Sequence, residues 1–320
     1  MKIGVLDISK AIEDVEVAFK ALAEGRIVNP PKTVLDFYET GGSYKGHIVS
    51  MPVHALSPYN VACIKWAAGF VRNPQRGLPH GIDVIVISDL ETGKPLAIMD
   101  GTLITAVRTG AVNAVAAKYL ARKDSEIAGI VGAGVIGRTT AWGLQAVLEL
   151  SELKIYDIKR DKAEALAREL GPEAKPVSSV QEAVSESDVV VTATTSEEPF
   201  VEAEWLKSGV LCIQMGKREI KEKAIVSMNK IVVDNWEQYR NYDRALVTKL
   251  YKSGLIPRPF ELPQIVAGQS PGREGQGERI LFDSFGLACE DLAVAYRLYQ
   301  DAVKGGFETK LALWDYPHWV

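Results

Sequence analysis

In the segment EIAGIVGAGVIG (Glu126–Gly137), Gly132, Gly134 and Gly137 stand at the spacing of a phosphate cradle. It follows an apolar strand and opens an apolar helix, the context in which such glycines have a physical job. Gly132 makes the strand-to-helix turn, Gly134 lets backbone approach a pyrophosphate, and Gly137 lets the helix pack closely on the sheet. The helix N-terminus adds N–H donors and positive potential, and Val135 and Ile136 within the motif join the cofactor-binding candidates. A second strand ends at Asp157, where a carboxylate can hold both hydroxyls of a ribose. The expected cofactor is therefore NAD, since Asp157 would repel the extra phosphate of NADP. Lys159 and Arg160 nearby could soften that preference and keep NADP open. Thr192, Thr194 and Thr195, in VVVTATTS at the carboxyl end of a later strand, either line the same crevice or are ordinary β-branched strand residues.

Two basic residues stand in apolar surroundings. Lys65 lies in ACIKWAAGF, inside a strand, and lysine is rarely buried without a partner. Arg108 lies in DGTLITAVRTGAVNAVAA, one guanidinium on an apolar helix, able to grip a carboxylate bidentately or to reach a cofactor phosphate. Each alone reads as half of a structural ion pair. Together they make a carboxylate-binding pocket.

The elements that must position these groups fall into two units. Ser9 to about Ala23 has apolar residues at Ile12, Val15, Phe19 and Leu22, a helical spacing with Ser9 as N-cap and Gly25 as stop. Strands are expected at Thr33–Tyr38, His47–Met51, Ala62–Ala67 and Asp83–Ser88, separated by turn residues. The stretch from Gly101 to Leu120 reads as a helix apolar on more than one face, buried between domains. From Ser125 strands and helices alternate: Ile127–Val131, Ile136–Leu148, Leu153–Tyr156, Arg160–Glu169, then strands at Asp188–Ala193, Val210–Gln214 and Ile231–Asp234. A last helix, Leu287–Ala302, should return to the first unit. The fold class is α/β, a Rossmann-type doubly wound parallel sheet (121–286) beside an α+β unit for substrate and dimerisation (1–120 with 287–320).

Composition narrows the partners. The chain is 47% hydrophobic and 24% charged, with formal net charge −4 and no basic run, which argues against nucleic acid or an anionic membrane surface. Three scattered cysteines (Cys63, Cys212, Cys289) read as free thiols in a reducing compartment, and four histidines without paired spacing leave no expected metal site. No apolar run approaches membrane-spanning length and the start has no apolar signal core, so a cytoplasmic location is expected.

At this point the residues resemble a known family. ETGKPLAIMDGTLITAVRTGAVNAVAAKYLA followed by GIVGAGVIG is similar to the ornithine cyclodeaminase/mu-crystallin family, as are Met51–Pro52, the lysine of IKW and FDSFGLACEDLA near the C-terminus. The resemblance covers nearly the whole chain. It implies a nucleotide domain joined to a substrate domain built from both chain ends, which also makes a homodimer contact. Members include cyclodeaminases, amino-acid dehydrogenases, cyclic-imine reductases and oxidases of N-substituted amino acids. By the same resemblance Lys65 and Arg108 hold the substrate carboxylate, with Lys65, its pKa lowered by neighbouring positive charge, also moving a proton. Met51 is implied as a substrate neighbour. Lys32, in PPKTV, falls where many members have an arginine completing the clamp. His80, in GLPHG, falls where cyclodeaminases have a threonine; it reads first as a packed residue, then as a side-chain selector, then as an acid/base group.

The family's cyclodeaminases carry a loop of the type GxDxPGKxEL, whose aspartate assists ring closure. Here IQMGKREI (Ile213–Ile220) lacks the aspartate-containing insert, and Met215 and Lys217 within it are counted with the cofactor-binding residues. IKW, GLPHG, VVVDNWEQ and GQSPGRE resemble the subgroup of dehydrogenases in siderophore 2,3-diaminopropionate synthesis, in which Arg273 would be available for an additional carboxylate. The expected activity is NAD-dependent oxidation or reduction at the C–N bond of an amino acid or N-substituted amino acid. The alternatives are a redox-neutral, ammonia-releasing cyclodeaminase and a non-catalytic mu-crystallin-like binding protein.

Overall fold

The computed structural model describes residues 7–312; the outermost stretches assigned to the first unit, 1–6 and 313–320, lie outside the described residues. Helix α1 (Ile8–Ala23) buries Ile12, Val15 and Phe19 along one stripe. Its cap is Asp7 rather than Ser9. The Asp7 carboxylate accepts from Lys10 N at 3.2 Å while Ser9 lies inside the first turn, and an anionic acceptor suits a helix N-terminus better than a hydroxyl does.

An antiparallel sheet follows, made of β1 (Ile27–Val28), β2 (Thr33–Tyr38), β3 (Tyr44–Ala55), β4 (Val61–Phe70), β5 (Gly81–Asp89) and β6 (Pro95–Asp100). Its order is β1-β3-β4-β5-β6, with β2 also on β3. The strands run longer than the sequence suggests, and β1 and β6 are additional. Alternation sorts the faces. Val49, Met51, Val53, Cys63, Lys65, Asp83, Ile85 and Ile87 are buried on the inner face, so one lysine and one aspartate share it with the core.

Helix α2 (Thr102–Leu120) is buried along most of its length, as its all-round apolar pattern requires. It lies against α3 (Val135–Val147), where small residues bring the backbones together. A Cβ on Gly110 would stand 2.4 Å from Thr139 backbone, and one on Gly143 would stand 2.8 Å from Gly110 O.

The second sheet is parallel, with strands β7 (Ile127–Val131), β8 (Glu152–Tyr156), β9 (Ala174–Pro176), β10 (Val189–Thr192), β11 (Leu211–Gln214), β12 (Lys230–Val233), β13 (Phe260–Glu261) and β14 (Ile280–Asp283). Their order is β13-β12-β14-β11-β10-β7-β8-β9. Helices α4 (Arg160–Leu170), α5 (Val180–Val184), α6 (Glu222–Val226), α7 (Trp236–Tyr239), α8 (Leu246–Lys252) and α9 (Leu262–Val266) fill the connections. Central strands β10, β11, β12 and β14 are buried throughout, as in a sheet covered on both faces. From β7 the chain steps to β8 and β9, then crosses back to β10. The carboxyl ends of β7 and β10 are therefore the topological switch point, where such sheets hold ligands.

Helix α10 (Ala288–Gly305) leaves β14 and packs on α1, α2 and the inner face of the antiparallel sheet. Its first turn stands where the two sheets meet. Cys63, Cys212 and Cys289 are buried and unbridged. Among the described residues no helix is long and apolar enough to cross a membrane.

Candidate active site

The glycine loop at the end of β7 has the geometry of a dinucleotide cradle. Gly132 has φ +107°, and a Cβ there would lie 2.4 Å from Ala193 O. A Cβ on Gly137 would lie 1.9 Å from Gly132 O, so only glycine lets α3 start this close to the sheet. Around Gly134 the reverse holds: nothing stands within 4 Å of its Cβ position, and no side chain caps α3. The uncapped start of α3 therefore offers its backbone N–H groups beside the open space at Gly134, where a phosphate would sit. Asp157 accepts from Ala133 N and from Lys159 N, each at 2.8 Å, which ties the loop to the end of β8 and sets a carboxylate beside it. Arg160 is engaged with Glu164 at 3.0 Å.

The far side of the crevice comes from β10 and β11. Thr192 is buried, and its hydroxyl has no partner among the described residues. Thr194 is committed elsewhere, because its N–H and hydroxyl both donate to Glu219 Oε1 at 2.6 Å. Met215 N donates to Thr192 O at 2.9 Å. Lys217, at φ +70°, turns its ammonium to within 3.4 Å of Asp283 Oδ1. An uncapped helix start, open space over Gly134 and a flanking carboxylate are the features a nicotinamide dinucleotide needs.

Beside the crevice lie the cations. Lys65 reaches Asp291 Oδ2 at 2.8 Å and donates to Thr105 Oγ1 at 3.2 Å, and the Thr105 hydroxyl donates on to Asp83 at 2.6 Å. Arg108 Nε donates to Asp291 Oδ1 at 2.9 Å and Nη1 to Glu290 Oε2 at 2.5 Å. Lys65, Asp83, Arg108, Glu290 and Asp291 are all buried. Burial opposes the charge on Arg108, but Asp291 and Glu290 outweigh it and hold the guanidinium protonated above its ordinary value. Burial lowers the Lys65 pKa, with Asp291 opposing and Arg108 adding to the fall. The sequence reading credited neighbouring positive charge for that shift; burial is the larger cause. Glu290 is pushed up to about 7 by burial, with Arg108 opposing and Asp234 and Asp291 reinforcing.

Lys32 completes the cluster differently. Its ammonium donates to Phe285 O at 2.8 Å and Gly286 O at 3.3 Å and lies 3.6 Å from the Phe285 ring centre. Asp234 grips the same segment from the other side, accepting from Phe285 N and Gly286 N at 2.6 Å. Burial lowers Lys32 to about 7; Asp234 opposes this, while Lys217, Arg108 and Lys65 assist. Next to it Asp283 accepts from Gln214 at 3.0 Å and from the Tyr239 hydroxyl.

The remaining candidates separate. Met51 is the cross-strand partner of Lys65, buried beside it on the same face. His80 is not packed but exposed, just before β5. Arg273 is a correction. Its guanidinium donates to Leu120 O at 2.8 Å and Glu278 O at 2.6 Å, holding a loop against the end of α2. Leu120 is twelve residues beyond Arg108, about 18 Å along the helix at 1.5 Å per residue, so Arg273 works at the opposite end of α2 from the cations.

The family model for ornithine cyclodeaminase/mu-crystallin proteins matches residues 3–306. The chain belongs to that family. Thermococcus litoralis Delta(1)-pyrroline-2-carboxylate reductase, solved in complex with NADH and L-proline, is 37% identical with a TM-score of 0.88, over 95% of this chain and 96% of that one. An archaeal alanine dehydrogenase dimer with bound NAD is 33% identical with a TM-score of 0.87, over 96% and 95%. N-((2S)-2-amino-2-carboxyethyl)-L-glutamate dehydrogenase of Staphylococcus aureus is 32% identical over 93% of this chain and 91% of its own.

Within this family fold, sequence reasoning missed the acids that answer the cations. Glu290 and Asp291 sit in LACEDLAVAY, flanked on both sides by apolar residues, and that flanking was the available signal: charged residues so placed are buried and must be paired. Thr105 and Asp83, which extend the Lys65 network, gave no such signal, because a threonine on a helix and an aspartate at a strand start are common.

Proposed function

We propose that this chain is an NAD-dependent oxidoreductase acting at the C–N bond of an amino acid or N-substituted amino acid, taking amine to imine and 2-oxo acid or reducing the imine. The observation that carries this is a cluster of cations beside the dinucleotide crevice, one of which lacks a carboxylate partner. Lys65 and Arg108 meet Asp291 and Glu290 directly, whereas the Lys32 ammonium contacts only the Phe285 and Gly286 carbonyls. A substrate carboxylate would supply the direct partner that Lys32 lacks.

Gly132–Gly137 and Asp157 would hold the dinucleotide, with Thr192 and Met215 lining its nicotinamide side. Bound there, the nicotinamide supplies the two-electron acceptor or donor, so that amine and imine differ by one hydride and one proton. Arg108 and Lys32 fix the carboxylate and thereby the substrate carbon that bears nitrogen, which is catalysis by positioning. Lys65, its pKa lowered by burial, takes the amine's proton, and the Thr105–Asp83 chain holds its ammonium in place. Water then adds to the imine carbon, and ammonium or the departing amine leaves as the 2-oxo acid forms. A secondary-amine substrate, as the name of the Staphylococcus aureus relative describes, is the narrower form of this reading.

The division of labour follows: 121–286 for the cofactor, 1–120 and 287–320 for substrate and self-association. The outer face of the antiparallel sheet exposes Ile64, Trp66, Ile82, Val84 and Ile98, the last 71% exposed, in adjacent register positions. A contiguous apolar sheet face of this kind supports a homodimer.

The test is a spectrophotometric screen of the purified chain with amino acids and N-carboxyalkyl amino acids plus NAD, and with imines or 2-oxo acids plus ammonium and NADH, alongside ammonia detection. Net change in reduced cofactor is expected. Arg108→Ala should lose nearly all turnover while still binding NADH; normal turnover in that variant overturns the clamp.

A further inference from the structure

Beyond the three cations, the inner face of the antiparallel sheet continues to the β2–β3 hairpin. Asp36 and His47 are cross-strand partners there, on the face that carries Lys65. Gly69 opposite His47 leaves room for the ring, since a Cβ at that glycine would stand 2.9 Å from the imidazole. Tyr44 Oη is 2.6 Å from His47 Nδ1. Across the cleft hangs the segment between α7 and α8. It is tied to the cofactor side by Leu246 N donating to Lys217 O at 3.3 Å, and to the Lys32 side by Tyr242 against Phe285, with ring centres 5.2 Å apart. From this segment Arg244 projects to the hairpin, 5.8 Å from the Tyr44 ring centre and 3.9 Å from Asp36 Oδ2.

We infer that Arg244, with His47 and its Tyr44 partner, forms a second anion subsite, so that the substrate is a dicarboxylic amino or imino acid. This rests on the reading that Lys32, Lys65 and Arg108 hold the first carboxylate. His47 stands opposite Asp36, the residue that Arg244 approaches, and burial lowers its pKa, with Asp36 opposing and His80, Lys32 and Arg244 adding to the fall. Arg244 keeps donors for a ligand. Its side chain is 57% exposed, Asp36 at 3.9 Å is beyond hydrogen-bond length and contributes little, and Tyr38 engages only part of the five-donor fork. A planar fork suits a carboxylate. Asp283 answers Lys217 and Asp234 lies near Lys32, so Arg244, with only a loose ion pair to Asp36, is the cation of this stretch left to a ligand, which favours an anion over the ammonium of a basic side chain.

The second carboxylate can sit on the side chain or on an N-substituent, and the assay separates them. Wild-type enzyme is given alanine, glutamate, ornithine and N-(carboxymethyl)alanine with NAD, and pyruvate or 2-oxoglutarate with ammonium and NADH. At least one dicarboxylic substrate is expected to exceed its monocarboxylic counterpart in kcat/KM by about tenfold or more, the worth of a charge-assisted hydrogen bond. Arg244→Ala should erase roughly tenfold to a hundredfold of that preference, mostly through KM, and Arg244→Lys should restore part of it. Unchanged melting midpoints show that both variants fold. Preference for ornithine, no preference for a second carboxylate, or equal losses on both substrate classes in Arg244→Ala overturns the subsite while the oxidoreductase reading stands. Absence of turnover on every substrate overturns both.

Discussion

Replacing Asp291 by Asn tests the charge accounting at the centre of the site. Asp291 holds Lys65 at 2.8 Å with one oxygen and Arg108 at 2.9 Å with the other, and its side chain is fully buried. Asparagine keeps the shape, but its NH2 must face one of the two cations, so one acceptor becomes a donor opposite a donor. Breaking a buried ion pair on one side typically costs about 3–5 kcal/mol. With an unfolding entropy of about 2.1 cal/mol/K per residue, the 320 residues give roughly 0.7 kcal/mol per degree, so the melting midpoint should fall by roughly 4–8 °C. Relief at Glu290 trims this. Asp291 is one of the groups raising the Glu290 pKa, so its removal lets Glu290 ionise further against Arg108 and places the drop in the lower half of that range. Scanning calorimetry at neutral pH measures it. Adding a 2-oxo acid should raise the midpoint more in the variant than in wild type, because a ligand carboxylate replaces the missing charge. A variant melting within about 1 °C of wild type would refute the claim that Asp291 neutralises these cations.

Lys32 is cationic below about 7 and neutral above it, so KM for a carboxylate substrate should climb with pH above that point, by up to about tenfold per unit. Lys32→Arg, which stays charged, should flatten the climb; an identical profile in the variant excludes Lys32 from carboxylate binding. Asp157→Ser removes the charge that would face a 2′-phosphate and should raise the kcat/KM ratio for NADP over NAD by roughly tenfold or more. A constant ratio would mean that Asp157 only braces the loop through Ala133 N. Ile98→Glu, at the most exposed apolar position among the adjacent strand residues, should shift the chain to monomer in sedimentation; an unchanged mass places the self-association surface elsewhere.

How much of this was legible depends on range. The glycine loop, its flanking strand and helix, and Asp157 were readable because each constraint is local: a φ of +107° at Gly132 and a 1.9 Å approach at Gly137 admit only glycine. The buried helix α2 was readable from its lack of a polar face. Strand β14 was not, since its four residues, ILFD, between a glycine-rich loop and SFG carry no periodicity. The partners of Lys65 and Arg108 lie on α10, more than 180 residues beyond Arg108 in the chain, and nothing local links them. Arg273 and Arg244 show the same limit from both directions. A glycine-rich loop made Arg273 look like a ligand-binding arginine, yet its donors go to carbonyls of its own loop and of α2. Arg244, in the plain sequence NYDRALV, drew no notice and stands at the cleft.

The loop after β11, which lacks the aspartate-containing insert, bears on the choice between oxidoreductase and ring closure. Cyclisation of a diamino acid needs a carboxylate free to accept a proton from the side-chain amine. Glu219 is spent on Thr194 and on Gly216 N at 2.7 Å. Asp283 is occupied by Gln214, Lys217 and Tyr239, and Asp234 by the backbone of Phe285 and Gly286 and the hydroxyl of Ser284. Asp36 remains, with Arg244 beside it and His47 opposite. Each carboxylate that the parallel sheet brings to its carboxyl edge is thus consumed as a hydrogen-bond acceptor. On that edge an amine would have to lose its proton with no free carboxylate to accept it. Hydride transfer asks for something else, a firmly held carboxylate and a lysine that can give up its proton, and in the proposed reaction Arg108, Lys32 and Lys65 would supply both.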